Sequence, residues 1–340
     1  MNKKERFLNA LQGEETDRIS VFCANQTATY EQMKDLNAFW PEAHYKADVM
    51  AHLASGAHSI LGFDAVRVPF CQTIESEALG CTLKDGGEDG VPSIDDHPFN
   101  INDTPPSLED LVNKGRIRTV AQALTILKEE IGDEVAVLGG IVGPFSVATN
   151  LLGLMDIMMA AAMEPEKLAP WLEVGRQAGE IYGKELIAAG ADALVIEDMM
   201  SSMDMISPQI YHDISGPAMQ QLIGDLGDIP TILHICGKIN PLVEDMIETG
   251  ASAFSVDTNV NIGDIQSKIA KSGRYVAVVG GIDAVKTLFY AKGAGPVREE
   301  GEKSLRAGYD LLAPSCSIPP ATSLEKLQAM VEVAKELSIK

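Results

Sequence analysis

Eight short aliphatic runs, each separated from the next by a helical stretch, constrain this chain more than any other feature. They lie at Ile19–Cys23, Ala65–Phe70, Val135–Ile141, Ala191–Glu197, Pro230–Cys236, Ala251–Asp257, Tyr275–Ile282 and Asp310–Cys316. Each is nearly continuous in apolar residues rather than alternating, the pattern of a strand buried on both faces in a parallel sheet. The stretches between them read as helices, for example Pro165–Ala189, Pro208–Gly224 and Pro241–Thr249. Their opening prolines suit a first helical turn, whose N–H groups have no partner to lose. Strands and helices in strict alternation specify an α/β fold, a (β/α)8 TIM barrel. The 340 residues form one expected domain, because barrels of this kind exceed the length of an average domain. Residues 1–17 read as an N-terminal helical extension. Residues 71–134, after the second strand, are too long for one loop and one helix and read as an insertion. Its Gly/Asp-rich patch, Asp85-Gly86-Gly87-Glu88-Asp89-Gly90, marks an exposed turn, and a hairpin is expected there.

The charge balance narrows the partners. With 49 acidic and 27 basic residues the chain carries a formal −22, which repels nucleic acid and anionic membranes. No nucleic-acid or membrane partner is therefore expected. The five cysteines, Cys23, Cys71, Cys81, Cys236 and Cys316, are odd in number and scattered, unlike a secreted disulfide framework. The polar opening Met1-Asn2-Lys3-Lys4-Glu5-Arg6 has no apolar signal-peptide core, and no long uncharged apolar run follows. The expected location is the cytoplasm.

In a TIM barrel the chemistry sits where strands end. The fifth run ends Leu233-His234-Ile235-Cys236-Gly237. Residues two apart on a strand share a face, so His234 and Cys236 both point into the barrel mouth. The eighth run delivers Cys316 to the same rim. An imidazole and two thiolates match the donors zinc prefers, and a catalytic zinc keeps its fourth position open. Asp257, ending the sixth run, is either that fourth ligand or a hydrogen-bond partner of His234. A His-x-Cys pair alone is equally compatible with core packing, since free cysteine is often buried. The other histidines (His44, His52, His58, His97 and His212) fall in helices or loops without a paired ligand. Cys23 and Cys71 lie near strand ends and leave a second thiol set open, whereas Cys81 reads as structural.

A wider set of motifs is familiar: Lys4-Glu5-Arg6 followed by Asp17-Arg18, Gln26-Thr27-Ala28-Thr29, Trp40-Pro41-Glu42-Ala43-His44, Ala65-Val66-Arg67-Val68-Pro69-Phe70, Gly139-Gly140 with Gly143-Pro144, and Ala313-Pro314 before Cys316. With the His-x-Cys they span almost the whole chain. The sequence resembles the uroporphyrinogen decarboxylase-like superfamily, and within it the methylcobamide:coenzyme M methyltransferases of methanogens. The resemblance implies one zinc per chain on His234, Cys236 and Cys316, with Asp257 completing the site. It also implies a methylated corrinoid protein as partner and methyl donor, coenzyme M as the small-thiol acceptor, and a place in methanogenesis. The expected reaction is attack of a zinc-held thiolate on methyl-Co(III). Asn25, Gln26 and Arg67 are candidate contacts for a sulfonate, although Arg67 could equally be a structural ion pair. Gly140 either admits a ligand to the backbone or serves a turn.

Two departures stand out. Ser315-Cys316-Ser317 replaces the related Gly-Cys-Gly, and Asp257 stands where the methanol-specific form has glutamate. Homocysteine or a tetrahydrofolate remain alternative acceptors, and a non-catalytic corrinoid-binding protein remains an alternative class. Decarboxylation is the lesser reading, because the stretch Ile19 to Tyr30 lacks the arginines that hold a polycarboxylate substrate.

Overall fold

The computed structural model describes residues 1–337. Ten strands occur in chain order: β1 (Ser20–Val21), β2 (Ala65–Val68), β3 (Leu83–Lys84), β4 (Ser93–Ile94), β5 (Ala136–Val142), β6 (Ala193–Glu197), β7 (Thr231–Ile235), β8 (Ala253–Val256), β9 (Ala277–Ile282) and β10 (Leu311–Pro314). Eight of them form one parallel sheet in the order β1-β10-β9-β8-β7-β6-β5-β2, a barrel wound once. Every one of the eight expected runs supplies one barrel strand. Apart from β5, the paired segments are shorter than the apolar runs: Cys236, Asp257 and Cys316 all lie just past the last paired residue, where each strand leaves the ladder and turns over the mouth.

β1 and β2 share no ladder. Asp64 closes that seam: its backbone N–H donates to the Val21 carbonyl at 2.7 Å, and its carboxylate accepts from Val21 N–H at 2.8 Å. The same buried carboxylate accepts from Arg6 and Arg18. The N-terminal helix Lys3–Gln12 is capped by Asn2 and Glu5 in a reciprocal pair of bonds. It turns Phe7 and Leu11 into the bottom of the barrel, where Phe7 meets Phe22 edge to face at 4.9 Å.

Strand alternation sorts the core into two compartments. Ala65, Leu138, Val195, Ile232, Ala253, Val279 and Leu311 cluster inside the barrel, whereas Val66, Val137, Leu194, Leu233, Phe254, Val278 and Leu312 pack outward against the helices. Both faces are therefore buried, as the continuous apolar runs require. Two residues further along, the inward positions change character. Arg67, Gly140, Glu197, His234 and Ser255 continue the inward series, and a polar layer lies above the apolar one.

The segment 71–134 carries the antiparallel hairpin β3–β4 and the helix Ile117–Ile131. Asp198, just past β6, accepts from Ser146 N–H and Oγ and so caps the helix Pro144–Leu152, whose own N-cap, Gly143, has no side chain. Among the described residues, no single helix is long and apolar enough to cross a membrane.

Candidate metal centre

β7 carries His234 to the mouth, fully buried, and Cys236 follows one residue beyond the strand. Gly237 then turns with φ +77. That left-handed conformation is what favours glycine there; a Cβ would also push aside the half-exposed Asp204 carboxylate. Cys316 arrives from β10. His234 Nε2 lies 2.9 Å from Cys236 Sγ, and the two sulfurs are 3.5 Å apart. Among the described residues these three form one group whose donor atoms all lie within 4.8 Å of one another.

The electrostatics follow from that crowding. The hydrogen bond from Cys236 draws the Cys316 thiol well below its ordinary range, against the opposing effect of burial. Cys236 is raised in return, first by the same bond and then by burial. Burial disfavours a charge on His234, but its hydrogen bond to and attraction by Cys316 outweigh that and raise its pKa. The bias toward thiolate thus falls on Cys316 and not on Cys236. One imidazole nitrogen and two sulfurs in a half-buried cradle form the soft donor set that zinc takes.

Behind the donors, His234 Nδ1 is 2.9 Å from the buried Ser255 hydroxyl. Ser255, not Asp257, is the partner of the imidazole. Asp257 accepts from Gly237 N–H at 3.2 Å and from Thr258 and Asn259. It stands beside the donor group, tied to the loop that carries Cys236.

The Ser-Cys-Ser sequence has a structural use. Ser315 Oγ accepts from Ala284 N–H at 3.2 Å, and Ser315 N–H donates to the Ile282 carbonyl at 2.7 Å. The loop bearing Cys316 is thereby fastened to the one after β9.

The expected anion contacts are largely engaged with one another. Glu197, fully buried, accepts from Arg67, from Gln72 and from Asn25, the last at 2.5 Å. Arg67 is therefore held in an internal ion pair, and Nη1 also donates to the Pro69 carbonyl. Gly140 lies beneath that guanidinium: a Cβ would occupy the place of Arg67 Nη2. This glycine makes room for Arg67 rather than for a turn. Gln26 differs from the expectation more sharply. Its amide donates to the Ala28 and Ile318 carbonyls and accepts from Ala28 N–H, so both ends are committed to backbone. Two polar atoms in the cluster have no partner, Asn25 Oδ1 and Arg67 Nε.

Glu197 is the residue that strand-by-strand reading passed over. Its signal was present: it ends the fourth aliphatic run and stands opposite His234 in the β6–β7 register. Cys23 and Cys71 are buried; the Cys23 thiol donates to the Gln26 and Cys316 carbonyls, and Cys71 bonds to Thr73 and Arg116. They form no second donor group among the described residues.

The uroporphyrinogen decarboxylase (URO-D) family profile matches residues 2–337. The chain is 33% identical over 337 residues to the methylcobamide:CoM methyltransferase MtaA of Methanosarcina barkeri, covering 98% of this chain and 97% of that protein. It is 35% identical over 340 residues to the methylcobamide:CoM methyltransferase MtbA of Methanosarcina mazei, with coverage of 98% and 97%. A solved methyltransferase from Methanosarcina mazei superimposes with a TM-score of 0.92 at 32% identity, covering 99% of each chain. A B12-independent methionine synthase from Shewanella sp. W3-18-1 shares the fold, with a TM-score of 0.61 at 14% identity.

Proposed function

The chain belongs to the uroporphyrinogen decarboxylase (URO-D) family, and from that premise and the His–Cys–Cys centre we propose that it transfers a methyl group from a methylated corrinoid carried by a partner protein to a small thiol, coenzyme M being the first choice. The observation that carries this reading is the convergence of His234, Cys236 and Cys316 at a half-buried point of the barrel mouth. Full-length likeness to relatives named methylcobamide:CoM methyltransferases supports the donor and the acceptor.

His234 Nε2 and the sulfurs of Cys236 and Cys316 would hold one zinc ion. Bound there, zinc supplies positive charge that lets a substrate thiol lose its proton at neutral pH while its sulfur stays electron-rich. The protein's own residues prepare for this. Cys316 is already biased toward thiolate, whereas Cys236 and His234 are biased toward keeping their protons. Ser255 fixes the rotation of the His234 ring. Asp257, held by the backbone N–H groups of Gly237 and Asn259 in long bonds, is the carboxylate that would complete the donor group. Glu197 and Arg67 neutralise each other below the centre, leaving no unpaired charge under the substrate. Arg67, whose Nε–H has no partner, is the side chain retained for the anionic end of coenzyme M; Asn25 acts beside it only through its amide nitrogen, which it gives to Glu197. Gly140 assists by admitting the Arg67 guanidinium, and Gln26 by holding the backbone around Ala28.

The test is calorimetry in buffers of different ionisation enthalpy, with zinc-loaded and zinc-free protein, followed by methyl transfer from methylcobalamin to a thiol panel. The expected outcome is release of about one proton per thiol bound at neutral pH, with zinc only. Binding without proton release would leave the thiol off the centre and overturn the reading. Transfer to homocysteine alone would replace coenzyme M as acceptor.

A further inference from the structure

The hairpin turn between β3 and β4 folds back over the segment Tyr30–Trp40. A cavity of about 430 Å³ lies between them, lined by Tyr30, Met33, Phe39, Trp40, Glu88 and Asp89. The Tyr30 hydroxyl donates to the Asp89 carbonyl at 3.4 Å and tethers one wall to the other. None of the metal-centre residues lines this space. Two of the aromatic side chains stay open to solvent, Tyr30 at 39% and Phe39 at 46%. Trp40 is fixed from behind by His44, stacked at 5.1 Å.

The lining is three aromatic rings, one thioether and two carboxylates, with no lysine, arginine or histidine. Ring faces and carboxylates both attract positive charge. An anion would be repelled, and a purely apolar ligand would strip water from Glu88 and Asp89 without replacing it. His44 adds no opposing charge: burial, and then the nearby Arg116, depress its pKa to about 3, so it is neutral around physiological pH. A metal ion or primary ammonium keeps its water more firmly than it is held by rings. A methylated ammonium has a diffuse charge, and its methyl groups can meet Met33 and the aromatic faces. The cavity falls in the size range of small-ligand sites.

We propose that this cavity, framed by Tyr30, Phe39 and Trp40 and closed by Glu88 and Asp89 of the hairpin turn, binds a small methylated ammonium ion. It is a site separate from the metal centre.

The test uses the full chain and choline as the probe. Dimethylbutanol, its uncharged carbon isostere, controls for apolar binding. Binding is read by calorimetry and by tryptophan fluorescence, to which Trp40 contributes from the cavity wall. Saturable choline binding is expected, with the isostere weaker by about tenfold or more. Phe39→Ala and Glu88→Gln should each weaken choline binding, Phe39→Ala by about tenfold. Both side chains are exposed, so the fold should survive, and circular dichroism checks it. Methyl transfer from free methylcobalamin should be unchanged in both variants. Equal affinity for choline and the isostere, no saturable choline binding, or full binding by both folded variants would each overturn the proposal.

Discussion

Replacing Ser255 with alanine isolates what one hydroxyl does for the metal centre. A metal on His234 must take the Nε2 lone pair, which forces the ring proton onto Nδ1. There it meets Ser255 Oγ at 2.9 Å. Both residues are fully buried, so water does not stand in for the missing oxygen. The metal-free protein can avoid the loss by shifting its proton to Nε2, which faces Cys236 Sγ at 2.9 Å. The loaded protein cannot shift it, and its Nδ1–H is left unsatisfied. The penalty therefore falls on the bound state and appears as lost affinity. Removing such an outer partner costs about 10- to 100-fold in metal affinity, or about 1.4 to 2.7 kcal/mol. Competition with a chromophoric chelator measures the zinc affinity directly, without turnover. Ser255→Thr, which keeps the hydroxyl, should restore most of it. Zinc affinity within about twofold of the parent in a folded Ser255→Ala protein would refute the tautomer argument.

Three further outcomes follow from the same geometry. Cys236→Ala should lose bound zinc and methyl transfer while its circular dichroism is retained, because this side chain lies past the end of β7; full zinc content by elemental analysis would remove Cys236 from the donor set. Gly140→Ala should displace the Arg67 guanidinium from Glu197 and cost about 3 to 5 kcal/mol, the range for breaking a buried ion pair, as read by urea denaturation. An unchanged midpoint and slope would mean that the barrel accommodates the methyl group without moving Arg67. Glu75 is fully buried; one oxygen accepts from Val142 N–H and the other has no partner, and burial raises its carboxyl from 4.5 to about 7. Between those values the folded chain holds a proton that the unfolded chain has lost. Stability should therefore fall as pH rises through that window, by about 3 kcal/mol in all, and then level off. Glu75→Gln should flatten that part of the profile, and an identical slope in the variant would refute the assignment.

The barrel was legible because burial on both faces leaves a mark that local sequence cannot hide: β5, seven buried residues from Ala136 to Val142, reads as one unbroken apolar run. The convergence of His234, Cys236 and Cys316 was legible for a related reason. Positions two apart on a strand share a face, and a barrel returns its last strand to the rim of the others. Contacts that depend on stagger between strands were not legible. Arg67 meets Glu197 across the mouth, with β5 lying between β2 and β6, and Ser255 stands opposite His234 only once the β7–β8 register is fixed. Loop residues were harder still. Nothing in the sequence around Asp257 says that its carboxylate is aimed at Gly237 N–H, and nothing around Gln26 says that its amide is consumed by Ala28 and Ile318.

The seam at Asp64 has a consequence for how the chain is made. β1 has a single ladder neighbour, β10, which is the last strand to be synthesised, while β2 is joined to β5 and onward in sequence order. During translation the first strand must wait for the last. Until then it is held by Asp64, whose backbone N–H and carboxylate both bond Val21 and whose carboxylate also joins Arg6 and Arg18, and by Phe7 against Phe22. A chain cut short before Leu311 thus loses more than its tail: its opening strand is left without a ladder partner, an unpaired edge open to other chains. Damage at the C-terminus is felt at the N-terminus, where Asp64 and the Phe7–Phe22 contact are left to hold the opening strand while the ring is open.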